Sequence, residues 1–189
     1  MTPAKAAGRG VQHYAALLRG INVGGNKKIA MAELRAMAAK LGLENPLTLL
    51  QSGNLVFATK SQPIAKLEQI LEDATLSKLG VECSYLVRTG DEWSKIMAAN
   101  PYPDMAKSDP SRLVVTFCRE RPDADALNAL RKEARGGESL EVVGRELFIR
   151  YPDGMGTSKL ATALSRNRLG TICSARNWNT VVKIAEALK

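Results

Sequence analysis

The chain has a single histidine and three cysteines in 189 residues, and only 5% of its residues are aromatic. Zinc sites and Ser/Cys–His catalytic groupings need several such side chains together, so their scarcity weighs against metal and triad chemistry. No metal and no cofactor is expected. Cys83, Cys118 and Cys173 are odd in number, far apart in sequence and without C-x-x-C spacing. They suggest neither a disulfide scaffold nor a zinc knuckle, and are expected to behave as small buried hydrophobes in a reducing cytoplasm. Nothing approaches the roughly 18 consecutive apolar residues of a membrane span, and the opening MTPAKAAGRGVQ has no apolar signal core. A cytoplasmic protein without membrane association is expected.

What is present is aliphatic and basic: 45% hydrophobic residues and a net charge of +8. The excess sits at the two ends. Residues 1–32 carry Lys5, Arg9, Arg19, Lys27 and Lys28 and no acid, and residues 154–189 carry six bases against Glu186 alone. If the ends meet in the fold, they form one positive surface that attracts phosphates; if they diverge, they serve solubility.

Periodicity organises the chain into two passes of the same order, β-α-β-β-α-β-α. The first pass has a strand Tyr14–Arg19, then a helix with the stripe Met31, Leu34, Met37, Ala38 and Leu41. A hairpin follows around Ser52-Gly53-Asn54, then a helix opened by Pro63 and closed by Gly80, a strand Val81–Arg88, and a short helix capped by Asp91. The second has a strand Leu113–Arg119, a helix Asp125–Arg135 and strands either side of Gly144. It ends with a helix Ser158–Arg168, a strand Thr171–Ser174 and a last helix anchored by Trp178. Between the passes, NPYPDMAKSDPS holds three of the eight prolines and reads as a linker. The expected fold is α+β, two ferredoxin-like (β-α-β-β-α-β) units with antiparallel sheets: a flexible extension over 1–12, units over 13–99 and 112–189, and the linker 100–111.

Three segments carry candidate ligand-binding groups. R-G-I-N-V-G-G-N-K-K places Arg19, Asn22, Gly24, Gly25, Asn26, Lys27 and Lys28 in an unusually long connection, where glycines let backbone N–H groups converge on an anion; the alternative is a plain flexible connection. Neither the Walker spacing nor G-x-G-x-x-G is present. Ser52 and Asn54 stand at a hairpin tip that reads as a turn capping its own backbone more readily than as a nucleophile. Arg176, Asn177 and Asn179 open the last helix, where Asn177 is a natural N-cap, and Lys159 sits oddly in the first turn of the preceding one.

LLRGINVGGNKKIAM, QSGNLVF, TSKL and RNWNTVVKI together resemble the bacterial domain of unknown function family 1697. The resemblance implies a cytoplasmic protein of two ferredoxin-like halves and supplies no substrate, cofactor or catalytic residue. The expectation for function is noncatalytic binding of an anionic partner, a nucleic acid or a phosphate-bearing small molecule, at a basic cleft. A metal-independent enzyme for a small anion and a self-association module are the alternatives.

Overall fold

A computed structural model describes residues 10–22, 28–166 and 169–189. The first strand, β1 (Val11–Arg19), is followed by α1 (Met31–Lys40), β2 (Glu44–Leu49), β3 (Asn54–Lys60), α2 (Ile64–Leu79), β4 (Ser84–Thr89) and α3 (Gly90–Ala98). After α4 (Pro103–Ser108) come β5 (Leu113–Cys118), α5 (Ala124–Arg131), β6 (Ser139–Val143), β7 (Glu146–Arg150), α6 (Lys159–Ser165), β8 (Cys173–Asn177) and α7 (Trp178–Ala187). The strands form two antiparallel sheets, ordered β2-β3-β1-β4 and β6-β7-β5-β8. Each is the ferredoxin-like order, with the first strand of the unit between its third and fourth.

Both central strands are buried on both faces, because each sheet is covered twice. Tyr14, Ala16 and Leu18 of β1 pack into a core with Leu34, Leu67 and Leu71 of α1 and α2. The intervening Ala15 and Leu17 face the second sheet, where they join Leu113, Val115, Phe117 and Phe148. The other face of β5, through Val114 and Cys118, packs with Leu127, Leu130 and Leu160 of α5 and α6. Helices, sheet, sheet and helices therefore stack in four layers. Alternation of side chains along a strand makes this possible, since one run of apolar residues serves two cores.

The helices that end each unit close the central layer. Trp93 of α3 stacks on Phe117 at 4.8 Å and donates its indole N–H to the Val181 carbonyl of α7 at 3.1 Å. Trp178 is buried in the same core, the anchor role its spacing indicated. Charged groups also bridge the halves. Arg88 of β4 pairs with Glu146 of β7 at 2.8 Å, both buried, and Arg119 reaches Glu68 at 3.2 Å and Glu72 on α2.

Several boundaries differ from the sequence reading. The linker segment contains α4, with Pro103 in its first turn. The helix α3 is capped by Thr89, not Asp91: the Thr89 hydroxyl accepts the Glu92 N–H while Glu92 accepts the Thr89 N–H, a reciprocal capping box. Val11 and Gln12, expected in a flexible extension, belong to β1, while residues 1–9 lie outside the described residues. The strand expected over Thr171–Ser174 runs to Asn177, which then caps α7.

Candidate functional site

The sequence motifs converge where the end of β1, the β2–β3 turn and β8 meet. The hub is Arg176. Ser174 and Arg176 alternate with Cys173 and Ala175 along β8, so they point between the sheets toward β1. The Arg176 guanidinium donates through Nε to Asn54 Oδ1, through Nη1 to Ser174 Oγ (2.7 Å) and the Ala175 carbonyl (2.8 Å), and through Nη2 to the carbonyls of Leu18 (3.0 Å), Ser52 (3.1 Å) and Gly53 (3.3 Å). Every N–H of the group is engaged, and no carboxylate is among its partners. Burial without a countercharge lowers its pKa from the ordinary 12.5 to about 10.

Arg176 was expected to meet a ligand; instead its donors are consumed inside the protein, where they fasten the β2–β3 turn to β8. Asn54 is fully buried and completes the knot, donating to the Leu49 carbonyl (2.8 Å) and Ser52 Oγ (3.1 Å). Asn22, with φ at +55°, clasps its own loop: its side chain accepts the Ile29 N–H at 3.0 Å and donates to the Ile29 and Gln51 carbonyls at 3.1 and 2.8 Å. Gly53 is demanded by close packing as well as by its φ of +72°, since a Cβ there would stand 2.6 Å from Ile21 Cδ1 and 2.9 Å from Leu18 Cβ. Asn177 accepts from the Thr180 N–H and hydroxyl, the cap anticipated from sequence. For Asn22, Asn54 and Arg176, then, the polar chemistry that suggested ligand binding is engaged in holding loops, and for Asn177 in capping α7.

The remaining candidates are scattered. Gly24, Gly25, Asn26 and Lys27 lie outside the described residues. Lys28 and Asn179 are exposed, as is the Ser52 turn. Lys159 lines a separate depression that Glu133, Glu138 and Asp153 also line. The lone His13 is tied to the Leu188 carbonyl through Nδ1 at 2.8 Å.

Arg19 is different. Its side chain has no hydrogen bond or carboxylate partner among the described residues, and it helps to line a cavity of about 210 Å³ between the outer face of the β5–β8 sheet and α6. The walls are mainly apolar: Val114, Ala161, Leu164, Leu169 and Ala175. Tyr151 and Thr116 also line it, and the hydroxyls of both are buried with no hydrogen-bond partner among the described residues. Burial pushes the Tyr151 phenol up, so it remains a neutral donor across the physiological range. An orphaned buried hydroxyl costs about 1–3 kcal/mol, and two on residues that line one cavity mark a place where the fold is not optimised for itself. Sequence reasoning missed both residues, because an apolar-flanked Tyr or Thr on a strand carries no local signal of being unpaired.

The fold is thus an α+β arrangement of two ferredoxin-like halves packed sheet to sheet, with a small cavity in the second. The chain belongs to the family described as "Protein of unknown function (DUF1697)", whose model matches residues 11–148. The TSKL and RNWNTVVKI motifs fall beyond that stretch. Among solved structures, the conserved bacterial protein SP0830 from Streptococcus pneumoniae is similar at 26% identity and a TM-score of 0.75, covering 95% of this chain and 100% of that one. No curated protein matches the chain.

Proposed function

We propose that the protein is a noncatalytic binder of a small anionic molecule, phosphate- or carboxylate-bearing, whose apolar body enters the cavity beneath α6 and whose charge meets Arg19. The observation that carries this reading is a mainly apolar cavity lined by Arg19, whose side chain has no hydrogen-bond or carboxylate partner among the described residues, and by Tyr151 and Thr116, whose buried hydroxyls have none among them either. Ligand sites are concave and mostly apolar with a few convergent polar groups, and unpaired polar atoms gain most when a ligand supplies their partner. A volume of about 210 Å³ suits one small ring or short chain.

A phosphate-bearing small molecule is favoured over nucleic acid. Single-stranded nucleic acids are gripped by exposed rings on which bases stack. Here eight of the nine aromatic residues are buried, Tyr102 being the exception. On β3, Phe57 is only 1% exposed and stacks against Tyr14.

The test is titration calorimetry and amide chemical-shift mapping with phenyl phosphate and benzoate, with benzyl alcohol as the neutral comparison. Saturable binding of the anions, shifts at Val114, Leu164 and Ala175, and a roughly tenfold loss in Arg19→Gln are expected. Absence of binding at millimolar concentrations, or shifts confined to other surfaces, overturns the reading.

A further inference from the structure

The two thiols expected to be unrelated are cross-strand neighbours. Cys118 ends β5 and Cys173 begins β8, and they face each other in register. The adjacent Arg119 N–H donates to the Ile172 carbonyl at 2.8 Å, so Cys118 and Cys173 occupy a non-hydrogen-bonded position of the ladder. There, facing Cα atoms lie about 4.5 Å apart, within the span that a disulfide bridges. The sulfurs are 2.6 Å apart, closer than unbonded thiols usually rest. The two also differ in access: Cys118 is fully buried, whereas Cys173 is half-buried and lines the cavity that Arg19 also lines.

We propose that Cys118 and Cys173 form a dithiol–disulfide couple that reacts with small disulfides, Cys173 as the attacking thiol and Cys118 as the resolving one. This rests on the pairing of the strands and not on any ligand in the cavity. In the first step the Cys173 thiolate attacks one sulfur of R–S–S–R, forming a Cys173–S–S–R bond and expelling RS⁻, which takes up the proton Cys173 gave to solvent. In the second, Cys118 loses its proton and attacks the Cys173 sulfur, expelling the second RS⁻, which is protonated in turn. Two protein thiols are oxidised to one disulfide and R–S–S–R is reduced to two RSH.

The surroundings assign the roles. The hydrogen bond from the Cys118 thiol, helped by the Arg19 charge, outweighs burial and holds Cys173 below the ordinary thiol value, while the same hydrogen bond and burial push Cys118 up. The less buried member, Cys173, is therefore the better nucleophile at neutral pH. Cys83 is buried in the core of the other unit and serves as an internal reference.

The experiment is intact-mass and peptide mapping of the full chain incubated with hydroxyethyl disulfide at pH 7.5. The expected result is loss of two of the three thiols, a mass lower by two hydrogens, a crosslink joining the peptides of Cys118 and Cys173, and full reversal by dithiothreitol. Cys118→Ser is expected to stop at one adduct on Cys173, and Cys173→Ser to lose reactivity at Cys118 by roughly tenfold or more. Cys118→Ala serves if the serine variant fails to fold, and the wild-type crosslink decides the matter if neither folds. A wild-type chain that keeps three free thiols, or that accumulates an adduct on Cys173 while Cys118 remains reduced, overturns the proposal. So does Cys118 reacting at an undiminished rate in Cys173→Ser.

Discussion

Replacing Arg176 separates a structural hub from a ligand-facing cation, and the informative comparison is Met against Lys. A guanidinium buried without a carboxylate, its pKa lowered from 12.5 to about 10, carries an unrelieved desolvation cost on the order of 3 kcal/mol. Arg176→Met removes that cost along with the hydrogen bonds. Most of the six acceptors then keep another partner: the Leu18 carbonyl retains Ser174 Oγ at 3.3 Å, the Gly53 carbonyl retains the Leu18 N–H at 2.8 Å, and the Ser52 carbonyl belongs to an exposed turn that water reaches. Asn54 Oδ1 is left buried without a donor, at about 1–3 kcal/mol. The lost charged hydrogen bonds and the recovered desolvation largely offset, and Met is expected to cost about 1–3 kcal/mol.

Arg176→Lys keeps the buried charge and offers three donors to six acceptors on a chain that cannot fork. It retains the penalty while losing at least half of the compensation, and is expected to cost about 3–5 kcal/mol, more than Met. Urea unfolding followed by circular dichroism at pH 7, with unchanged m-values, measures both. The reasoning is refuted if Lys is tolerated better than Met, or if both variants stay within about 0.5 kcal/mol of wild type, the range typical of a surface cation.

Gly53→Ala forces a Cβ onto Ile21 and Leu18 in a left-handed backbone, and should lower stability by about 2–5 kcal/mol in the same assay. Glu146→Gln strips the buried Arg88 of its charge partner and should cost about 3–5 kcal/mol, whereas Arg88→Met with Glu146→Leu recovers most of the loss. Tyr151→Phe should raise stability by about 1–3 kcal/mol, because its buried hydroxyl has no partner among the described residues; Tyr85→Phe should cost about 1 kcal/mol, because its hydroxyl pairs with Thr75 Oγ1 at 2.7 Å. Burial, outweighing the Val87 N–H and Arg119, raises Glu68 above 4.5. Its contribution is therefore fully present below the unfolded value and lost as pH rises through the folded one, so the fall in urea midpoint just above pH 4.5 should flatten in Glu68→Gln.

Element order and sheet type were legible because they depend on periodicity, which each segment carries within itself. The central strands also carried a sign of the four-layer packing: Tyr14–Leu18, and Leu113–Cys118 apart from Thr116, are apolar on both sides, as suits strands covered twice. The Thr89 cap was equally readable, since Thr-Gly-Asp-Glu is a capping-box sequence that the nearby Asp91 obscured. By contrast, α4 offers only Met105 and Ala106 as apolar residues in a proline-rich stretch, and six residues cannot display a helical period.

The candidate site was harder to read for one physical reason. Whether a polar side chain serves the fold or a ligand depends on how many of its bonds are already made, and those partners are long-range: Arg176 with Asn54, Asn22 with Gln51, Cys118 with Cys173. Local sequence specifies the donor and not the acceptor. The meeting of the basic ends follows the same rule. The end of β1 and β8 do adjoin, but one of the cations brought there, Arg176, is consumed in joining them, and Arg19 beside it is left without a partner among the described residues. A basic cluster read from composition is thus divided by the fold: Arg176 is spent on holding the structure, whereas Arg19 is the cation that the anion proposed above would meet.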